Sequence, residues 1–81
     1  MISYQYESFD ETLILKIYSN EAQIATLDLA GIGGNSVFIR NFELRYGANT
    51  FRIPLKSFPN GIYISRLRME GTVKVGKLMK F

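Results

Sequence analysis

Apolar residues in this chain recur at every second position, and that spacing limits it to strands. Ile2, Tyr4 and Tyr6 alternate with Ser3 and Gln5. Leu13, Leu15 and Ile17 alternate with Thr12, Ile14, Lys16 and Tyr18. Ala25, Leu27 and Leu29 follow, then Phe42, Leu44 and Tyr46, then Phe51, Ile53 and Leu55. Further on, Tyr63, Leu67 and Met69 share one face of an extended segment, and Ile62, Ile64, Arg66 and Arg68 share the other. No window of a dozen residues has helical spacing.

Turn-forming residues separate these runs. They are Ser19-Asn20-Glu21, the flexible Gly31-Ile32-Gly33-Gly34-Asn35, Ser57-Phe58-Pro59-Asn60-Gly61 and Glu70-Gly71. Gly47-Ala48-Asn49 lies between two strong runs and predicts a three-residue hairpin. About seven strands at this spacing make an all-β domain, an antiparallel sandwich or barrel. Pro54 cannot donate a ladder hydrogen bond, so its strand is expected at a sheet edge or to end there. Val73 and Val75 are in phase, but the apolar set changes parity at Leu78. Gly76 sits at the change and predicts a β-bulge.

An 81-residue chain holds one small domain, and this one has no Cys to staple it. Burial must therefore offset nearly all of the ordering entropy. The five Tyr and six Phe are expected mostly in the core, where each ring removes about 150–250 Å² from water. The longest nearly uncharged stretch, Ala22–Ile39, is interrupted by Asp28 and the glycine segment, so it predicts no membrane insertion. No basic lead into an apolar run follows Met1, so no signal peptide is expected.

The same composition narrows the chemistry. Without Cys or His there is no thiolate nucleophile, no imidazole acid–base group and no thiolate or imidazole metal site. Asp10 and Glu11 are adjacent, point to opposite sides of an extended chain and read as a solvated turn. Asp28 reads as a side chain bonding backbone N–H groups near a turn. The glycines at 31, 33 and 34 lie between two strands, so no helix N-terminus is available to hold a phosphate. The serines have no His partner, and no nucleophile elbow is present. No catalytic, cofactor or metal site is expected.

Charge is distributed unevenly. Residues 1–39 carry five carboxylates against Lys16, a net of −4; residues 40–81 carry nine cations against Glu43 and Glu70, a net of +7. Paired strands would bring the halves together and cancel part of this. Alternatively, a basic face built on Arg40, Arg45, Arg52, Arg66 and Arg68 would suit an anionic partner. No RNA-recognition-motif signature is present, which argues against nucleic acid. An adhesive or carbohydrate-binding accessory domain is another reading, weakened by the lack of Trp for stacking on sugars.

The second half carries a more specific likeness. Gly47-x-Asn49-x-x-x-Ile53, Phe58-Pro59-Asn60-Gly61-Ile62-Tyr63, Leu67, Gly71-x-Val73 and the terminal Lys77-Leu78-Met79-Lys80 resemble the type A C-terminal sorting domain of the Bacteroidota type IX (Por) secretion system. Asp28-Leu29-Ala30-Gly31 is similar to that family's Asp-x-x-Gly, and Phe9-Asp10-Glu11-Thr12-Leu13 to its first conserved strand. The resemblance covers residues 9–80 and leaves 1–8 as a linker or an extra strand. Glu7-Ser8 stands where the family usually opens with Asn-Pro, and Gly76-Lys77 where it often ends on a Lys-Lys pair.

The resemblance implies an immunoglobulin-like sandwich of seven strands fused behind a larger exported protein, with Met1 the start of a fragment. It implies a non-catalytic module that passes through the periplasm to the outer membrane or cell surface. The implied partners are an outer-membrane shuttle barrel, the translocon and a sortase. Gly61, Tyr63, Lys77, Leu78, Met79, Lys80 and Phe81 are the candidate recognition residues: a basic, apolar terminal strand suits strand addition or a groove. Leu78 and Met79 could equally finish the core while the lysines protect a sheet edge. Tyr63 is expected to be a buried ring whose hydroxyl finds a backbone partner.

Overall fold

The alternating runs become strands in the computed structural model, which describes residues 1–81. These are β1 (Ile2–Glu7), β2 (Thr12–Ser19), β3 (Gln23–Gly31), β4 (Ser36–Leu44), β5 (Gly47–Pro54), β6 (Gly61–Met69) and β7 (Thr72–Lys80). They form two sheets, ordered β1-β2-β5 and β4-β3-β6-β7, and every pairing is antiparallel. The result is an antiparallel β-sandwich of seven strands. In the constant-type immunoglobulin arrangement the fourth strand pairs with the fifth; here it pairs with β3 on the opposite sheet. Residues 1–8 contain β1, paired with β2 along its whole length.

Alternation sets which side chains turn inward. Leu13, Leu15 and Ile17 of β2 meet Ala25, Leu27 and Leu29 of β3, with Ile53, Leu55 and Leu67 closing the core. Seven of the eleven aromatic rings join this cluster or pack on it. Phe9, Tyr18, Tyr46 and Phe81 remain exposed. Ile14 faces outward on β2 and is still buried, because it pairs with Gln5 on one side and Arg52 on the other. The long stem of Arg52 can cover apolar surface while its charge stays in water.

Three local expectations are corrected. Gly47-Ala48-Asn49 does not close a hairpin, because β4 and β5 lie in different sheets and the chain crosses the sandwich there. Asn49 makes that corner. Its buried amide donates to the carbonyls of Arg45 (3.0 Å), Gly47 (3.0 Å) and Ile17 (3.3 Å), and its oxygen accepts the Arg45 N–H (3.1 Å). Gly76 does not mark a bulge, since β6 and β7 pair in unbroken register from Gly61–Lys80 to Met69–Thr72. Val73, Val75 and Met79 simply face outward while Leu78 faces inward. Gly76 instead makes room between the sheets: a Cβ there would lie 3.1 Å from the Ser65 hydroxyl and 3.8 Å from the Tyr4 ring. The one register shift in this sheet lies between Leu29 and Ala30, against β4. Asp28, finally, sits inside β3 and accepts the Ser36 hydroxyl (2.7 Å), not a backbone N–H.

Pro54 is the last residue of β5, an edge strand, as its missing donor requires. The unequal halves partly cancel. Arg52 reaches Glu7 (3.5 Å) and Asp10 (3.6 Å), and Lys80 reaches Glu11 (2.9 Å), so every ion pair joins the acidic amino-terminal segment to the basic half.

Candidate functional site

The β6–β7 register assembles most of the predicted recognition residues at one end of the sandwich. Gly61 lies opposite Lys80, Ile62 opposite Met79, Tyr63 opposite Leu78 and Ile64 opposite Lys77. The loop before β6 shapes this end. Phe58 donates its N–H to the Leu55 carbonyl (3.0 Å), and its ring packs edge-on against Phe38 and Tyr63. The buried Tyr63 ring donates its hydroxyl to the Pro59 carbonyl, the backbone partner expected of it. Gly61 has φ +151°, a value L side chains rarely adopt, and so lets the chain leave the Pro59-Asn60 turn directly into the strand.

The terminal strand is held more firmly than its basic composition suggests. Leu78 is buried and completes the core. Lys80 follows it at the i+2 position, so its side chain also points inward and is only 2% exposed. The Lys80 ammonium donates to Glu11 Oε1 (2.9 Å) and Asn60 Oδ1 (3.2 Å). Glu11 comes from the β1–β2 turn, where it adopts φ +53°; next to it the Glu11 carbonyl accepts the Leu55 N–H (2.8 Å). The β1–β2 turn and the loop before β6 are thus both clasped to the end of β7.

Three sequence readings are corrected here. Lys80 is a buried, partnered cation and not a solvated edge charge, and Glu11 is its counter-ion and not merely part of a solvated turn. Met79 does not finish the core: it is outward and 48% exposed. The side chains that reach solvent here are Lys77, Met79 and Phe81. Glu11 and Asn60 were not singled out as site residues. The parity of Lys80 with Leu78 was the available signal for its burial, whereas its carboxylate partner is 69 positions away in sequence.

The free side of β7 is a sheet edge, since the order β4-β3-β6-β7 leaves it paired with β6 alone. No group of three or more Asp and Glu side chains is gathered as a metal site would need. The carboxylates near the clasp are engaged by Arg52 and Lys80.

The chain is thus a small antiparallel sandwich whose last strand is a clasped sheet edge. The sequence matches the family described as the secretion system C-terminal sorting domain over residues 11–80, and the chain belongs to that family. This is the sorting domain of type IX secretion. The matched span begins at Glu11 and ends at Lys80, the two partners of the clasp. Membership implies an interaction with the type IX secretion machinery and export toward the outer membrane or cell surface. No curated protein matches the chain.

Proposed function

We propose that this domain is the non-catalytic export signal of a larger protein, carried through the periplasm and then taken across the outer membrane with its upstream cargo. The observation that carries this reading is the family match combined with an open β7 edge that ends in exposed Met79 and Phe81. An edge strand offers a row of unpaired backbone groups to a partner, and neighbouring side chains supply selectivity.

In this reading Lys77, Met79 and Phe81 touch the machinery directly. Gly61, Tyr63, Leu78 and Lys80 hold the strand so that its edge has a fixed shape. An outer-membrane shuttle barrel and the translocon receive it, and a sortase cuts the chain ahead of the domain, which is substrate and not catalyst. The product ends at the cell surface or in the medium.

The test is a fusion of residues 1–81 to a reporter bearing a signal peptide, in a host that has the type IX system. The intact fusion should leave the cell envelope or appear on the surface, and deletion of 78–81 should leave the reporter in the periplasm. Retention of the intact fusion would overturn the reading. Export of both would remove the tail as the recognition element.

A further inference from the structure

The two outward faces of the sandwich differ in kind. On the β1-β2-β5 sheet the outward positions include Glu7, Lys16, Thr50 and Arg52, and Arg52 is ion-paired within the chain. On the β4-β3-β6-β7 sheet, Ile24, Ile39, Ile64, Val73, Val75 and Met79 all stand exposed on the outward side. So many apolar side chains on one flat face mark an interaction surface.

Charge on this apolar face is divided down its middle. The β4–β3 half carries Glu43 and Asp28 and no cation. The β6–β7 half carries Arg66, Arg68 and Lys77 on its strands, and its one carboxylate, Glu70, lies in the turn that joins them. Asp28 and Arg66 are register neighbours, yet neither they nor Glu43, Arg68 and Lys77 form an ion pair within the chain.

We propose that this face binds the same face of a second copy of the chain, about a two-fold axis parallel to the strands and midway between β3 and β6. Such an axis lays β3 of one copy on β6 of the other and β4 on β7. Asp28 then meets Arg66 of the second copy, and Arg66 meets its Asp28, the reciprocal pairing that an isologous interface requires. In the same row Ile39 meets Val75 of the second copy, and one row further Ala30 meets its Ile64. An axis across the strands would instead set Arg66 and Arg68 of β6 against the β6 of the other copy, cation on cation. Both arrangements keep the strands aligned, and the charge division selects the first.

The face is large enough. Four strands about 4.8 Å apart and about nine residues long, at about 3.3 Å per residue, present a plane of about 570 Å². Two copies together bury about 1,100 Å² or more, above the roughly 1,000 Å² that a specific interface needs. A membrane surface would favour an unbroken field of cations, and the carboxylates of Asp28 and Glu43 on this face oppose that.

Sedimentation equilibrium on the 81-residue chain, up to about 1 mM, the weak end of specific association, tests the proposal. The chain should form dimers, and Asp28→Arg and Arg66→Asp should each weaken dimerisation at least tenfold. An equimolar mixture of the two variants should recover it, because residue 28 of each then faces an opposite charge at 66 of the other. No pairing inside one chain can produce that recovery. If Asp28→Arg loses its fold by circular dichroism, Val75→Glu mixed with Ile39→Lys applies the same logic at positions 60% and 61% exposed. A wild-type chain that stays monomeric, single variants that dimerise as wild type does, or mixtures that fail to recover association would each overturn it.

Discussion

The ammonium of Lys80, one residue from the end of the chain, is 2.9 Å from the carboxylate of Glu11 in the first turn and almost wholly out of water. The contact joins the last strand to the β1–β2 connection across the end of the sandwich. A buried cation tolerates this position only while an acceptor faces it. Glu11, about a third exposed, retains water of its own. The two partners therefore contribute unequally.

That inequality is measurable. Glu11→Gln leaves Lys80 with Asn60 and a neutral amide, and is expected to lower stability by about 2 kcal/mol. Lys80→Met keeps the length and apolar stem while removing the charge, and should remain within about 1 kcal/mol of wild type. Urea unfolding of the two variants checks the order. A larger loss for Lys80→Met than for Glu11→Gln would refute the account of Lys80 as the desolvated partner.

Gly76 tests the packing between the sheets. Alanine there brings a methyl group close to the Ser65 hydroxyl, which can rotate, and it removes a glycine's entropic cost in a strand. Gly76→Ala is therefore expected within about 1 kcal/mol of wild type. Gly76→Val adds branches that must displace the Tyr4 ring, and should cost about 1–3 kcal/mol by overpacking. Equal midpoints for the valine and alanine variants in chemical denaturation would show that Tyr4 does not fill this space.

Strand identity was legible because alternation is local: each of β1 to β6 can be read from its own side chains. The sheet to which a strand belongs is not local. Gly47-Ala48-Asn49 has hairpin chemistry, yet it serves a corner between sheets, because the choice depends on whether β4 pairs with β5 or with β3. Gly76 drew attention through its parity, but what it accommodates is the Ser65 hydroxyl of β6 together with Tyr4, on a strand from the other end of the chain. Within the candidate site, Tyr63 was readable because a large ring with a polar tip has one satisfactory burial mode. Lys80 was not, because a lysine at a strand end looks solvated until its counter-ion is located in space.

Asn49 is a sharper probe of the sheet-changing corner. Its amide serves three carbonyls and one N–H, in a residue that is itself buried. Asn49→Ala strands several of these groups and should cost about 2–3 kcal/mol. Asn49→Asp keeps the shape but turns donors into acceptors opposite three carbonyl oxygens, and should cost at least as much at neutral pH. Thermal unfolding followed by circular dichroism checks both. An aspartate variant as stable as wild type would remove the donor role.

Tyr4 gives the molecule a pH dependence whose sign follows from its surroundings. Its ring lies against Gly76 between the sheets, and its hydroxyl is buried with no well-formed hydrogen bond. Burial pushes the phenol above its ordinary value, with the Ser65 hydroxyl opposing the shift. A folded-state value raised above the unfolded one means that the native protein holds the phenolic proton more tightly. That contribution to stability is complete below about pH 10, the unfolded value, and is lost as pH rises through the higher folded value. Tyr4→Phe keeps the ring, removes a hydroxyl that lacks a partner, and abolishes the titration. Its stability near neutrality should equal or exceed wild type by up to about 1 kcal/mol. Its alkaline loss above about pH 10 should be shallower than that of wild type. Parallel urea titrations across that range decide the matter, and identical alkaline slopes for the two proteins would mean that the Tyr4 hydroxyl is hydrated in the native state.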